Sequence, residues 1–258
     1  MSLAAVDPAP RPRPIALIGG LDPAGLAGLA ADLEVCFAMG ARGMPVIAAR
    51  TAQRTGLWSR AWPTDSEELT STLATLEAPA AIKLGMLGQV ANAQAVAAWS
   101  GPYSAPLVVD PLLHSTSGGW MWGQESQGDV RGCLRELLLP RAAVVTPNWP
   151  ELAWLAGAAL PQSLLEAQKL AQLLPCPVLL KGGHAPAPWL GQDWLWDGQR
   201  WLSLPQKPVW PTSPPGLSRR GTGCRLATGI AIGLAAGKDL PTACETAARW
   251  LDRWAYGL

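Results

Sequence analysis

Six short apolar runs, at 15–18, 45–49, 80–84, 107–109, 142–145 and 178–180, alternate with stretches of helical spacing along most of this chain. A strand too short to bury a face alone needs neighbours, and the helices between successive strands carry the chain back in the same direction. The pattern therefore predicts an α/β fold with a doubly wound, mostly parallel central sheet covered by helices on both faces. Helices are expected up to Met39, at 65–76, 89–99, 129–138, 150–155 and 164–174, and at the end of the chain from about 240 to 256. Thr242 and Glu245 have capping-box spacing for that last helix. Trp194 and Trp196 alternate with Leu195 and Asp197, and Gly198-Gln199 separates them from 201–204, which reads as a hairpin by its period of two. The Pro/Arg-rich segment 1–14 reads as an extended tail before a single domain over 15–258. The segment 115–128, rich in Ser, Gly and Trp, reads as a mobile loop.

The chemically distinctive residues fall just after the apolar runs: Asp22, Gln53, Gly85 and Met86, Asp110, Asn148 and Lys181. In a doubly wound sheet those carboxyl ends form one rim, which is where ligands bind. Their shared position says more than any one of them. Taken singly, Gln53 is an ordinary loop glutamine, Asp32 a helix-surface charge, Glu151 a solvated first-turn carboxylate, Lys181 an exposed strand-end lysine, and Met86 and Leu112 plain core residues.

The stretch SRRGTGCRLATGIAIGLAAG, residues 218–237, adds a different signal. Gly221-Thr222-Gly223-Cys224 opens directly onto an apolar run. Glycines let backbone N–H groups converge, and a helix starting there contributes unsatisfied N–H groups and its positive dipole end. Such a mouth suits phosphate or a developing oxyanion. Cys224 at that mouth is expected to have a lowered thiol pKa, with Arg219, Arg220 and Arg225 pushing the same way.

Composition narrows the classes. The chain has 258 residues, 49% of them hydrophobic, and a net charge of +1, which argues against a general nucleic-acid or membrane-surface binder. No apolar run is as long as a membrane span. Five irregularly spaced cysteines suggest free thiols in a reducing, cytoplasmic compartment. His114 and His184 lack metal-ligand spacing with the cysteines, so zinc is not expected; His184 reads as structural or close to a nucleotide and His114 as a phosphate contact. A thiol hydrolase reading of Cys224 lacks a strand-turn-helix elbow and a separate ordered base.

Seven stretches then resemble, in family order, the hydroxymethylpyrimidine/phosphomethylpyrimidine kinases of thiamine biosynthesis, within the ribokinase-like fold: GGLDPAGLAGLAADL (19–33), TAQRTG (51–56), IKLGMLG (82–88), VVDPLL (108–113), VTPNWPEL (145–152), LLKGGH (179–184) and GTGC (221–224). The resemblance implies transfer of the γ-phosphoryl of ATP to a hydroxymethylpyrimidine and then to its monophosphate. It implies Cys224 as the base within an anion hole of Gly221, Thr222 and Gly223. Asp110 and Glu151 would hold Mg²⁺, and Thr146, Asn148, Lys181 and Thr222 would meet the nucleotide. Gly20, Asp32, Gln53, Met86 and Leu112 would receive the pyrimidine, Asp32 against its amino group. A homodimer, no nucleic acid and no membrane complete that expectation. A pyridoxal (vitamin B6) kinase and a catalytically weak ligand-binding relative are the alternatives. The chain departs from the family at Leu26, where a second glycine is usual, at Arg220, often His, and at Arg225, usually a small hydroxyl residue. Arg220 and Arg225 together are expected to make the mouth favour the more anionic ligand.

Overall fold

The computed structural model describes residues 14–54, 57–114, 119–205 and 220–256. The expected tail at 1–13, Ser117, Gly118 and Arg219 lie outside the described residues. Pro14 does not belong to that tail, because it opens the first strand.

The strands are β1 (Pro14–Leu21), β2 (Arg42–Arg54), β3 (Leu57–Pro63), β4 (Ala81–Leu84), β5 (Leu107–Val109), β6 (Ala142–Val145), β7 (Val178–Leu180), β8 (Trp194–Trp196) and β9 (Trp201–Ser203). They form one sheet in the order β3-β2-β1-β4-β5-β6-β7-β8-β9. From β2 to β7 every pairing is parallel, and antiparallel partners close both edges: β3 on β2, and the β8–β9 hairpin on β7. The fold is thus α/β with a doubly wound, mostly parallel sheet, as the alternation requires. The order steps outward from β1 in both directions, so a crevice opens above its carboxyl end.

The helices are α1 (Gly28–Ala38), α2 (Ser66–Ala74), α3 (Val90–Ser100), α4 (Gln127–Cys133), α5 (Trp149–Ala156), α6 (Leu164–Ala171), α7 (Thr222–Ala235) and α8 (Leu240–Tyr256). Strand periodicity divides the core between the two faces of the sheet. Ile15 and Leu17 join Leu29, Val35, Leu226, Ile230 and Ala247 beneath α1, α7 and α8. Ala16 and Ile18 join Leu69, Val96, Val130, Leu152 and Ala167 beneath the other five helices. α7 and α8 touch almost backbone to backbone, because a Cβ at Gly229 would lie 2.9 Å from that of Ala247, and one at Gly233 2.9 Å from that of Ala243.

Several expectations need correction. The second strand extends well beyond 45–49, and β3 lacks the apolar core pattern that marks the others: its residues are half-buried or exposed and Arg60 interrupts them. Its place depends on pairing with β2. In the segment expected to be mobile, Met121 and Trp122 are buried and the Trp122 indole N–H donates to the carbonyl of Leu112 at 3.2 Å. The expected helix at 129–138 is α4 followed by a π turn over Leu134–Leu138. α8 is capped by Asp239, which accepts from the Thr242 N–H at 2.8 Å, while Glu245 pairs with Arg249, so the Thr242/Glu245 box does not form. Among the described residues no helix is long and apolar enough to cross a membrane.

Candidate active site

The carboxyl ends of β1, β2, β4, β5, β6 and β7, with the start of α7, enclose a cavity of about 990 Å³. Its phosphate-handling end grows from three strand ends. Asp110 follows β5 and is buried; its Oδ1 accepts from Lys181 Nζ at 2.8 Å and from the Thr146 hydroxyl at 3.2 Å. Asn148 and Glu151 form the capping box of α5: the Glu151 N–H donates to Asn148 Oδ1, and the Asn148 N–H donates to Glu151 Oε2, both at 2.8 Å. The Asn-x-x-Glu spacing is thus a helix start before it is anything else. That box turns Glu151 inward, where Lys181 Nζ lies 3.8 Å from Oε2. Glu151 is buried, not solvated. Burial raises its carboxyl above the usual range, against the lowering effect of Lys181. Burial also works against the Lys181 ammonium, but Asp110 and Glu151 outweigh it and hold its pKa above the ordinary value.

α7 abuts this cluster. Gly221 is left-handed (φ 77°), and a Cβ there would lie 2.3 Å from the carbonyl oxygen of Leu26, so glycine is required on two grounds. A Cβ on Gly223 would lie 3.2 Å from Lys181 Nζ. The mouth at Gly221, Thr222, Gly223 and Cys224 therefore faces the same volume as Lys181, Asp110 and Glu151.

Cys224 lines the cavity but is buried. The expectation of a lowered thiol pKa is overturned. Burial raises it, Lys83 opposes the rise, and Asp32 and Asp110 add to it. Arg225 does not reverse this, because it turns away from the mouth. Its Nε and Nη2 donate to Glu34 Oε2, its Nη1 donates to the carbonyls of Leu26 and Arg220 at 3.1 Å, and its Cζ lies over the Trp254 ring, 4.1 Å from the centroid. Two departures from the family pattern, Leu26 and Arg225, thus meet each other. Arg225 adds no charge to the mouth, and the expected anion preference loses that half of its basis.

At the other end lie Gly20, Met86, Leu112, Thr51, Gln53, Asp22 and Arg220. The Thr51 hydroxyl donates to the carbonyl of Leu21, Gln53 Nε2 donates to Thr51 Oγ1, and Arg220 Nη2 donates to Gln53 Oε1. Two expected contacts do not reach the cavity. Thr146 is buried beneath Asp110 and carries that carboxylate rather than a ligand. Asp32 is neither a surface charge nor a cavity wall: fully buried, it pairs with Lys83 Nζ at 2.8 Å and accepts from the Thr228 hydroxyl at 2.8 Å. Burial raises the Asp32 carboxyl, against the pull of Lys83; it also opposes the Lys83 ammonium, which Asp32 foremost still holds above its ordinary pKa. Lys83, which lines the cavity, was not singled out from the sequence. The available signal was a lysine inside an apolar strand, which demands a buried counter-charge. His114 and His184 both line the cavity.

A helix mouth facing a lysine held between two carboxylates, on the carboxyl rim of a doubly wound sheet, defines a phosphate-handling site of the kind small-molecule kinases use. The sequence model of the phosphomethylpyrimidine kinase family matches residues 22–255, and the chain belongs to that family. It is 33% identical to the hydroxymethylpyrimidine/phosphomethylpyrimidine kinase of Synechococcus elongatus over 93% of this chain and 90% of that one. The Streptomyces coelicolor protein of the same name is 32% identical over 96% and 91%. Among solved structures, the phosphomethylpyrimidine kinase of Clostridium difficile superposes with a TM-score of 0.76 at 25% identity, covering 94% of this chain and 99% of that one. The pyridoxal kinase of Staphylococcus aureus in complex with pyridoxal does so with 0.79 at 26%, covering 93% and 86%.

Proposed function

We propose that the protein transfers the γ-phosphoryl group of ATP to 4-amino-5-hydroxymethyl-2-methylpyrimidine and then to its monophosphate, a step of thiamine biosynthesis. The observation that carries this is the Lys181–Asp110–Glu151 cluster set against Gly223 of the helix mouth, in one cavity with Gln53. Pyridoxal as acceptor rests on the shared fold, whereas the curated relatives that match over more than nine-tenths of the chain are named for the pyrimidine.

In the first transfer the hydroxymethyl oxygen forms a bond to the γ-phosphorus, the bond from that phosphorus to the bridging oxygen breaks and ADP leaves, and the hydroxyl proton passes to Sγ of Cys224 in its thiolate form. The N–H groups at the start of α7 and the Lys181 ammonium face the charge that spreads over the moving phosphoryl. In the second transfer the acceptor is a phosphate, almost fully ionised near neutral pH, so no proton need be taken. Asp110 and Glu151 would hold Mg²⁺. Both carboxylates line the cavity beside Lys181, and a pair of carboxylates with water and phosphate oxygens is the kind of set that suits this ion. When bound, Mg²⁺ neutralises phosphate charge. All five cysteines are free and buried, which suits a reducing, cytoplasmic setting.

The test is phosphorylation of the pyrimidine, its monophosphate and pyridoxal with Mg·ATP. Cys224→Ala is expected to keep its fold and lose about 10²-fold in kcat on the hydroxymethyl substrate, with a smaller loss on the monophosphate. A native enzyme that phosphorylates only pyridoxal would overturn the reading. So would an alanine variant with native turnover of the alcohol, as far as the base is concerned.

A further inference from the structure

The amide of Gln53 has two orientations, and its neighbours decide between them. The Thr51 hydroxyl donates to the carbonyl of Leu21 at 3.0 Å and accepts from Gln53 Nε2 at 3.0 Å. Gln53 Oε1 accepts from Arg220 Nη2 at 2.5 Å, and that same nitrogen lies 3.4 Å from Asp22 Oδ2. The two neighbours are not equivalent. A hydroxyl can rotate, donating or accepting as required, so Thr51 would tolerate a flipped amide. A guanidinium only donates, so a flip would set N–H against N–H. The Arg220 side chain is also buried, and its own carbonyl accepts from Arg225 Nη1 at 3.1 Å, with Arg225 fastened to Glu34 and its guanidinium over the Trp254 ring.

We infer that Arg220 is a specificity-determining positioning residue, which locks the Gln53 amide so that the cavity accepts a 4-aminopyrimidine edge and rejects the 4-oxo edge. The inference rests on the proposed reaction and deepens it. With one Nε2 hydrogen held by Thr51 and one Oε1 lone pair held by Arg220, Gln53 keeps one donor and one acceptor for a ligand. A 4-aminopyrimidine offers the complement, an acceptor at the ring nitrogen and a donor at the amino group. A 4-oxopyrimidine offers the reverse, N–H at the ring and an acceptor outside it. An amide free to flip would serve both rings; a locked one serves one. Neither Gln53 nor Thr51 alone can discriminate in this way.

The experiment compares 4-amino-5-hydroxymethyl-2-methylpyrimidine with its 4-oxo analogue, by kcat/KM and by calorimetric Kd, in the native protein, Arg220→Lys and Arg220→Gln. Lysine keeps a donor-only cation, whereas glutamine keeps polarity but can donate or accept. The native ratio is expected to favour the amino ring by about 10²-fold or more, since a polar site left mispaired rejects strongly. Arg220→Lys should keep that ratio within about threefold and Arg220→Gln should lower it by about tenfold, with the KM for nucleotide unchanged in both. A native protein that binds neither ring overturns the proposed reaction and this assignment together. A native protein that phosphorylates the amino ring but has a ratio near one, or a ratio equal in all three proteins, overturns the assignment alone. So does a lysine variant as permissive as the glutamine one, or a nucleotide KM that rises in step, which marks a general disturbance of the site.

Discussion

Lys83, in β4, and Lys181, just after β7, each hold an ammonium 2.8 Å from a buried carboxylate at the carboxyl rim of one sheet. Their surroundings differ. The Lys83 side chain is 1% exposed and that of Asp32 0%, and Thr228 closes the second oxygen of Asp32. The charges cancel within a sealed floor. The Lys181 side chain is 15% exposed and shared between Asp110 and Glu151, beside the helix mouth. That cluster sets two carboxyl groups against one lysine and keeps an open side, so it can take a cation or release the lysine towards phosphate. The same ion pair is a structural element where it is complete and a functional one where it is left short of a positive charge.

This contrast breaks most visibly at Lys83. Lys83→Met leaves Asp32 buried without its partner, and stability to urea should fall by roughly 3–5 kcal/mol. Adding Asp32→Asn should recover part of that loss, because an amide tolerates burial better than an uncompensated carboxylate. If the single variant were as stable as the native protein, the floor would not be what holds this rim.

Lys181→Met should show the opposite profile. Its stability loss is expected to be smaller than that of Lys83→Met, since Glu151, whose carboxyl burial already raises, can take up a proton. Its kcat/KM for Mg·ATP should drop on the order of 10²-fold, as for a lost phosphate contact in a water-poor site. Equal thermodynamic losses for the two lysines, with nucleotide use intact, would erase the distinction.

A finer effect separates the two transfers by pH. Because burial raises the Cys224 thiol, the thiolate fraction at neutral pH is small and grows with pH. Turnover of the hydroxymethyl substrate should therefore rise as pH increases, up to about tenfold per unit while the thiol stays mostly protonated. Turnover of the monophosphate, which has little proton to give above neutral pH, should stay nearly level. Parallel profiles for both acceptors would remove Cys224 from the proton path.

The sheet was legible because its short strands and their helices carry the pattern locally. β5, β6 and β7 stand where the apolar runs place them, each bounded by residues that end strands. β3 was not legible, since Ser59 and Arg60 split the apolar residues of Leu57–Pro63 and leave neither a run nor an alternation to mark a strand before β2 lies alongside it. The rim residues were visible as a set because strand ends converge by topology. Their partners were not, because an ion pair such as Lys83–Asp32 spans 51 positions, and the bond from Arg220 to Gln53 spans 167.

By itself, then, the amino-acid order determined what depends on near neighbours: the strand-helix alternation, the glycine-opened start of α7, the capping box at Asn148 and Glu151, and the family those segments spell out. Tertiary structure alone decided where charges point and how far they are buried. It turned Arg225 away to Glu34 and Trp254, sank Asp32 onto Lys83, and raised the Cys224 thiol that its helix position would have lowered. The physical reason is that propensity and capping act over a few residues, whereas desolvation and Coulomb interactions depend on every group within several ångströms, whatever its place in the chain.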